Sequence, residues 1–304
     1  MIFFTVFTPT FNRAYTLAGV YNSLLAQTVQ DFEWIIIDDG STDNTESIVS
    51  GWMMDNKIHI RYIKKNNEGK HVAINLAAIE AKGQLFLIFD SDDKCSPLAL
   101  ERFKHHWDSI PEEQRNEYAG VIALSSFSDG SVIGTRFPED IVDGKSYEIF
   151  DRYKIRGDKW NLLRTDVIKK YPFPVFEGEK FLSEGLIWNR ICLNYKFRHI
   201  NEILYCPEYL NDGLTKSSLI NRVRSPKGTL LYYKEASRLP LSIILHLKHV
   251  TNLFRFGIHC KQLNKSFSYA PSFGAALFGF ICGGLVYLWD KTLLKMSDHI
   301  SVIG

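Results

Sequence analysis

Residues 84–93 read QLFLIFDSDD, a short apolar run that breaks off into three carboxylates within four positions. A run of that length, bounded by turn-forming residues, reads as a buried strand over 84–89. With side chains alternating every second residue, Asp90 and Asp92 share one face at the strand end and Asp93 turns to the other. The same punctuation recurs upstream. IFFTVFTP (2–9) is an apolar run closed by Pro9, EWIIID (33–38) runs into Asp38-Asp39-Gly40-Ser41, and IHIRYI (58–63) alternates. Between these runs lie helical signals. Leu17, Val20, Tyr21, Leu24 and Leu25 recur at helical spacing over 16–27; STDNT offers caps for a helix through about Met54; an Ala-rich helix is expected over 70–81. Strands alternating with helices predict βαβ units and a mostly parallel sheet, a Rossmann-like α/β fold with helices on both faces. Ligands of such sheets bind beyond the C-terminal strand ends, where the acids lie.

The chain has 304 residues, 45% hydrophobic and 23% charged. That composition is ordinary for a globular protein and excludes disorder, collagen and coiled coil as its main description. The five cysteines, Cys95, Cys192, Cys206, Cys260 and Cys282, are scattered, with no CxxC pair and no zinc-type spacing. Reduced thiols and a cytosolic setting are expected, and the opening strand has no basic stretch before it to suggest a secretory leader. The net charge of +2 conceals a split: from Lys216 to Lys265 ten Lys and Arg residues meet a single acid, Glu235. A basic stretch of this kind faces a membrane surface, a nucleic acid or a phosphorylated ligand, or is a solvated helical face.

Two carboxylates on one face attract a hard divalent cation, Mg²⁺ or Mn²⁺, whose shell is commonly completed by phosphate oxygens. Asp93 reads more simply as a turn residue and Asp43 and Asn44 as helix caps. There is no GxGxxG after the first strand, which argues against a dinucleotide dehydrogenase. Taken together, TPTFNR (8–13), IIIDDGSTDNT (35–45), NNEGKHVAIN (66–75) and FDSDD (89–93) resemble glycosyltransferase family 2, whose members have the GT-A fold and invert configuration. Four motifs in order make the resemblance specific over 1–95. It implies that Thr8 and Pro9 line the nucleotide pocket and that Asp39 accepts a hydrogen bond from the uracil ring of a UDP-sugar. It places Asn67, Gly69 and Lys70 near the base and diphosphate, Asp90 beside the ribose and metal, and Asp92 as the firmest metal ligand. Lys70 and His71 also fit a solvated first helical turn.

In the second half, residues 119–136 read as strand, turn, strand; GDKWNLLR (157–164) precedes a helix from Thr165 to Tyr171. Asp158, Lys159 and Trp160 are candidate acceptor contacts, since an aromatic face stacks on a sugar ring, although Trp160 fits a core equally well. An inverting transfer needs one carboxylate to take the acceptor hydroxyl proton. Many relatives carry Glu-Asp at the start of the next helix, and this chain has Ser183-Glu184-Gly185. The surrounding pattern resembles bacterial surface and capsular polysaccharide transferases, which makes Glu184 the expected base; complementing the helix dipole is its plain alternative. Asn211-Asp212-Gly213 signals a turn and a loop able to close on the donor, and Arg222 and Arg224 fit a diphosphate clamp or a membrane-facing surface.

Residues 240–256 mix apolar and basic residues as interfacial helices do, and from Ser266 to Trp289 there is no charge. That segment is long enough to span a bilayer. Pro271 and several glycines favour attachment to the cytoplasmic face of the cell membrane, peripheral or through one C-terminal segment. The expected organisation is a GT-A domain over 1–215, with 1–95 binding nucleotide and 96–215 binding acceptor. A helical membrane-associating region follows over 216–304. The expected activity is transfer of one sugar from a nucleotide-sugar donor to a lipid-linked saccharide acceptor. A non-catalytic nucleotide-sugar-binding or scaffolding module, a nucleotidyltransferase and a nucleic-acid binder are the rivals. The apolar face beside the basic stretch argues against nucleic acid as a partner. The absence of QxxRW argues against processive synthesis.

Overall fold

A computed structural model describes residues 2–210 and 217–300, the latter without side chains beyond residue 292. The chain divides into two compact units, one of residues 1–173 and 190–211, the other of residues 174–189 and 212–304.

The first unit is built on a nine-stranded mixed sheet. Its elements are β1 (Phe4–Thr10), α1 (Ala14–Leu25), β2 (Phe32–Asp38), α2 (Thr45–Asp55), β3 (Ile60–Lys64), α3 (Lys70–Glu80) and β4 (Leu85–Ile88). Then come β5 (Lys94–Cys95), α4 (Ala99–Asp108), β6 (Tyr118–Ser125), β7 (Ile141–Gly144), α5 (Ser146–Arg152), β8 (Lys159–Arg164) and α6 (Thr165–Lys170). Helix α7 (Gly185–Asn194) begins in the second unit and ends in the first, and β9 (Lys196–Cys206) completes the sheet. The strand order is β3-β2-β1-β4-β8-β6-β9-β5, with β7 also paired to β9. Strands β1 to β4 are parallel, as their alternation with helices predicts. Strand β8 enters antiparallel between β4 and β6.

Alternation along β1 divides the packing. Phe4 and Val6 join Leu17, Val20 and Leu24 of α1, Val49 of α2 and Phe103 and Trp107 of α4 in one apolar cluster. The intervening Thr5 and Phe7 turn to the opposite face, the side on which α3 packs with Ala73, Ile74 and Ala77 buried. Strands β1 and β2 are buried on both faces, which is why they read as continuous apolar runs, whereas β3 at the sheet edge is partly exposed and alternates. The expected hairpin over 119–136 is reduced to β6 and one isolated bridge, Ser126 to Val132. Strand β6 pairs instead with β8 and β9, whose partners lie far along the chain.

The second unit is helical among its described residues: α8 (Ser218–Arg224), α9 (Pro226–Ala236), α10 (Ile243–His259), α11 (Leu263–Tyr269) and α12 (Phe273–Ile300). Helices α10 and α12 approach closely because Gly279 and Gly283 present no side chain. A β-carbon on Gly283 would lie 2.7 Å from Thr251 O and Arg255 N. The pair is pinned by Asp290, 2% exposed, which accepts from Arg255 Nε and Nη2 at 2.6 Å each and lies 2.8 Å from His259 Nε2. The outer side of α12 carries Phe273, Leu277, Phe280, Ile281, Leu285, Leu288 and Trp289, all exposed. Residues 273–292 are long and apolar enough to cross a membrane by length and composition.

Candidate active site

At the end of β2, Asp38 and Asp39 have separate tasks. Asp38 is fully buried and ties its own turn: Oδ1 accepts from Ser41 N at 2.7 Å and Oδ2 from the Tyr62 hydroxyl. Asp39 binds the loop after β3. Its Oδ1 accepts from Lys65 Nζ at 2.6 Å and Glu68 N at 2.9 Å, and its Oδ2 from Gly69 N at 2.7 Å. Two glycines permit this close approach. Gly69 sits at φ +97°, a left-handed conformation that favours glycine, and Gly40 lies where a β-carbon would be 3.1 Å from Asn67 N. A carboxylate offers about four acceptor sites, and the loop occupies three of those on Asp39. Asp43 is the cap the sequence implies: its carboxylate accepts from Ala14 N at 3.0 Å and Thr45 N at 3.1 Å, joining the starts of α1 and α2.

The acids after β4 are arranged by a tight turn rather than by strand alternation. Strand β4 stops at Ile88, and Asp93 N donates back to Asp90 O at 3.3 Å. Lys70, the first residue of α3, donates from Nζ to Asp90 Oδ2 at 2.8 Å and lies 2.7 Å from Oδ1. Asp90 Oδ1 is buried and has no hydrogen-bond partner of good geometry among the described residues. Burial raises the pKa of Asp92, and the charge of Asp90 adds to this, with Arg13 drawing it back. Asp93 is pushed up to about 8 by burial and by Asp90. It is the anchor of the turn, accepting from the Tyr205 hydroxyl and from Glu208 N at 2.7 Å.

A pair of neighbouring carboxylates, Asp92 partly desolvated and Asp90 balanced by the Lys70 ammonium, fits a divalent cation. Among the described residues there is no group of three His, Cys, Asp or Glu side chains able to hold a metal. Asp90 and Asp92 therefore suit an ion that takes its remaining ligands from phosphate oxygens and water.

Several expectations are corrected by orientation. Thr8 is buried and its Oγ1 accepts from Trp34 Nε1 at 2.9 Å, so its side chain belongs to the core and does not line a pocket. Trp160 is 4% exposed, donates from Nε1 to Ile88 O at 2.7 Å and stacks on Tyr205 at 4.5 Å; it presents no face to a sugar. Its core alternative is the correct one. Lys159 turns its amine to backbone oxygens, Arg156 O at 2.9 Å and Ile133 O at 3.2 Å, and burial lowers its pKa. Asp158 remains exposed and accepts from the Tyr209 hydroxyl at 2.6 Å. His71 is buried rather than solvated, its ring against Phe173 at 6.5 Å, and its pKa is lowered by burial.

Pro9 is half-buried near the end of β1, beside Ile37 of β2. Thus Asp39, Asn67, Gly69, Lys70, Asp90 and Asp92 gather at the C-terminal ends of β2, β3 and β4 within one unit. Glu184 lies in the other unit, at the N-terminal end of α7, where its carbonyl accepts from Ile187 N and Trp188 N. The turn at 211–213 lies outside the described residues. Sequence reasoning missed Tyr205, Glu208 and Tyr209, which hold Asp93 and Asp158; the signal was ILYCPEYL (203–210), an aromatic-rich strand end.

The fold and this cluster define a GT-A-type α/β domain with an acidic turn at the sheet's C-terminal edge. Residues 5–114 match the family model "Glycosyl transferase family 2", which identifies that stretch as a glycosyltransferase domain of this type. An uncharacterized glycosyltransferase of Nostoc sp., alr2836, is 29% identical over 76% of this chain and 64% of its own length. The chondroitin synthase of Pasteurella multocida is 37% identical over 66% of this chain and 20% of its own length. The chain thus spans less than two thirds of both these relatives. Among solved structures, S. aureus TarS 1-349 in complex with UDP-GlcNAc aligns with a TM-score of 0.62 at 20% identity, covering 92% of this chain and 79% of that one. The mannosyltransferase PcManGT of Pyrobaculum calidifontis, in complex with GDP-Man and Mn²⁺, aligns at 0.56 and 16% identity, covering 95% and 87%. At these identities the structural likeness establishes the fold alone.

Proposed function

We propose that the protein is an inverting glycosyltransferase moving a single sugar from a nucleotide sugar, in the first instance a UDP-sugar, to a hydroxyl of a lipid-linked glycan. The setting we infer is cell-surface polysaccharide synthesis at the cytoplasmic face of a membrane. The observation that carries this reading is the Asp90–Asp92 pair, Asp92 partly desolvated and Asp90 balanced by Lys70 at the start of α3. TarS, which binds UDP-GlcNAc, and the mannosyltransferase, which binds GDP-Man and Mn²⁺, support the donor class. The chondroitin synthase relative supports the polysaccharide context.

In this mechanism Asp90 and Asp92 would hold Mg²⁺ or Mn²⁺, which when bound would stabilise the negative charge that develops on the departing nucleoside diphosphate. Lys70 exchanges its contact with Asp90 for a phosphate oxygen, and the N-terminus of α3 adds its partial positive charge. Asp39 fixes the 65–69 loop that borders the base and keeps one acceptor site for it. Glu184 takes the proton of the acceptor hydroxyl as its oxygen attacks the anomeric carbon from the side opposite the diphosphate, which inverts the centre. Asp158 is the remaining acceptor candidate. We assign donor binding to 1–95, acceptor binding to 96–215 and membrane attachment to 216–304.

The test is thermal stabilisation of the full chain by a panel of nucleotide sugars, with and without Mn²⁺. A ligand at a hundred times its Kd adds roughly 2.7 kcal/mol. A Mn²⁺-dependent shift with a UDP-sugar, absent in Asp92→Ala, is expected. No shift with any nucleotide sugar sinks the reading.

A further inference from the structure

The helical unit has a cavity of its own. Ser218, Leu219 and Arg222 on α8, Tyr233 on α9, and Lys248, Asn252, Arg255 and Phe256 on α10 enclose about 410 Å³, open to solvent. Helical spacing gathers these groups: 218 and 222 are one turn apart, and 248, 252 and 255 follow one stripe. No acid lines the cavity.

Arg222 is its unexplained member. Phe181, Tyr232 and Tyr233 each hold their rings 5.5 Å from the guanidinium carbon. A ring meets the positive charge through its π face and supplies no lone-pair acceptor to the N–H donors. Nε reaches Ser218 Oγ at 3.3 Å, but Nη1 is buried with no hydrogen-bond partner among the described residues. Leaving a charged donor buried and unmatched is costly unless a ligand completes it. Arg255 cannot relieve it by sharing an acid, because Asp290 is committed to Arg255 and His259. Lys248 is exposed at the rim, and Asn252 accepts from Arg255 Nη1 at 3.1 Å. The cavity therefore carries surplus positive charge, a planar guanidinium edge, a hydroxyl and an amide.

We propose that this cavity of the helical unit is an anion site that binds a phosphate or diphosphate group without a metal at the acidic turn. A guanidinium edge flanked by an ammonium matches phosphate oxygens in number and charge. The chemistry is the same whether the group is soluble or sits at the head of a lipid.

The experiment uses the full chain in EDTA, so that diphosphate held through a metal at Asp92 does not contribute. Pyrophosphate binding is measured by calorimetry, and binding to phosphatidic acid vesicles by flotation against phosphatidylcholine vesicles. Arg222→Gln is expected to weaken binding about tenfold and Lys248→Gln about threefold, with Asp92→Ala unchanged. Loss confined to pyrophosphate assigns a soluble ligand; loss confined to phosphatidic acid assigns a lipid phosphate. Lys248→Gln alters an exposed side chain and keeps the test decisive if Arg222→Gln does not fold. Binding to neither probe, binding indifferent to both substitutions, or binding abolished by Asp92→Ala overturns the proposal. The proposed transferase activity stands or falls separately, since it is read with Mn²⁺ present.

Discussion

Asp92 and Asp93 weaken the fold at neutral pH before they contribute anything to binding. Their carboxyls are raised by burial and by Asp90. A carboxyl raised in the folded state contributes most at low pH, and that contribution is lost as pH rises through its folded pKa. A cation at Asp90 and Asp92 would reverse the sign, and such stored cost is common where ligands are held. Glu184 belongs to the same scale. Glu184→Gln is expected to lower kcat by about 10²–10⁴ while the nucleotide-sugar-induced Tm shift is retained. Single-turnover assays beside thermal shifts separate the two, and loss of the shift as well would mark a structural role. The acids were legible in the sequence because their type and spacing are local. The directions of Thr8 and Trp160 were not, because Trp34 and Ile88, which fix them, are remote along the chain.

At the scale of elements, β1 to β4 and α1 to α3 were readable because each is bounded by local signals and buried by neighbours in sequence. Strand β9 was not. Its FRHINEILYC stretch is full of polar residues, and each finds a distant partner: Arg198 with Asp143, His199 with Ser146, Asn201 with Phe137 N, Glu202 with Arg102. Glu202 lies within 2.8 Å of Arg102 Nε and 2.7 Å of His106 Nε2, and its carboxyl falls to about 2, chiefly through the Arg102 hydrogen bonds. A carboxyl depressed on folding adds stability above its unfolded pKa and loses it as pH falls towards the folded one. Glu202→Gln should therefore cost about 2 kcal/mol at pH 7 and nearly nothing by pH 2. Urea unfolding across that range checks it; a pH-independent difference would mean that packing, not charge, is at work.

At the scale of the molecule, the charge split legible in the sequence coincides with the helical unit, and so does its apolar outer face. Seven large apolar side chains on the outside of α12 exceed what a solvated helix exposes without a purpose. Leu285→Ser with Trp289→Ser is expected to reduce flotation with phosphatidylcholine vesicles by more than half while far-ultraviolet circular dichroism is unchanged. A wild-type chain that stays with the aqueous phase would remove the membrane from the proposed function. What the sequence could not convey is that α10 and α12 pack through Gly279 and Gly283, since glycines in an apolar segment read equally as breakers and as contact points.

Strand β5 is only two residues long, and Lys94 and Cys95 pair with Cys206 and Tyr205, over a hundred positions later. Asp93, just before it, is held by Tyr205 and Glu208. On the ribosome, then, the acidic turn emerges early and stays unanchored on its far side until β9 has followed it out. Closing so long a loop is slow and comes late. The residues that make the site chemically recognisable thus acquire their full geometry only after β9 has been made, and a nascent chain exposes those three carboxylates to solvent while the stretch from 94 to 206 follows them.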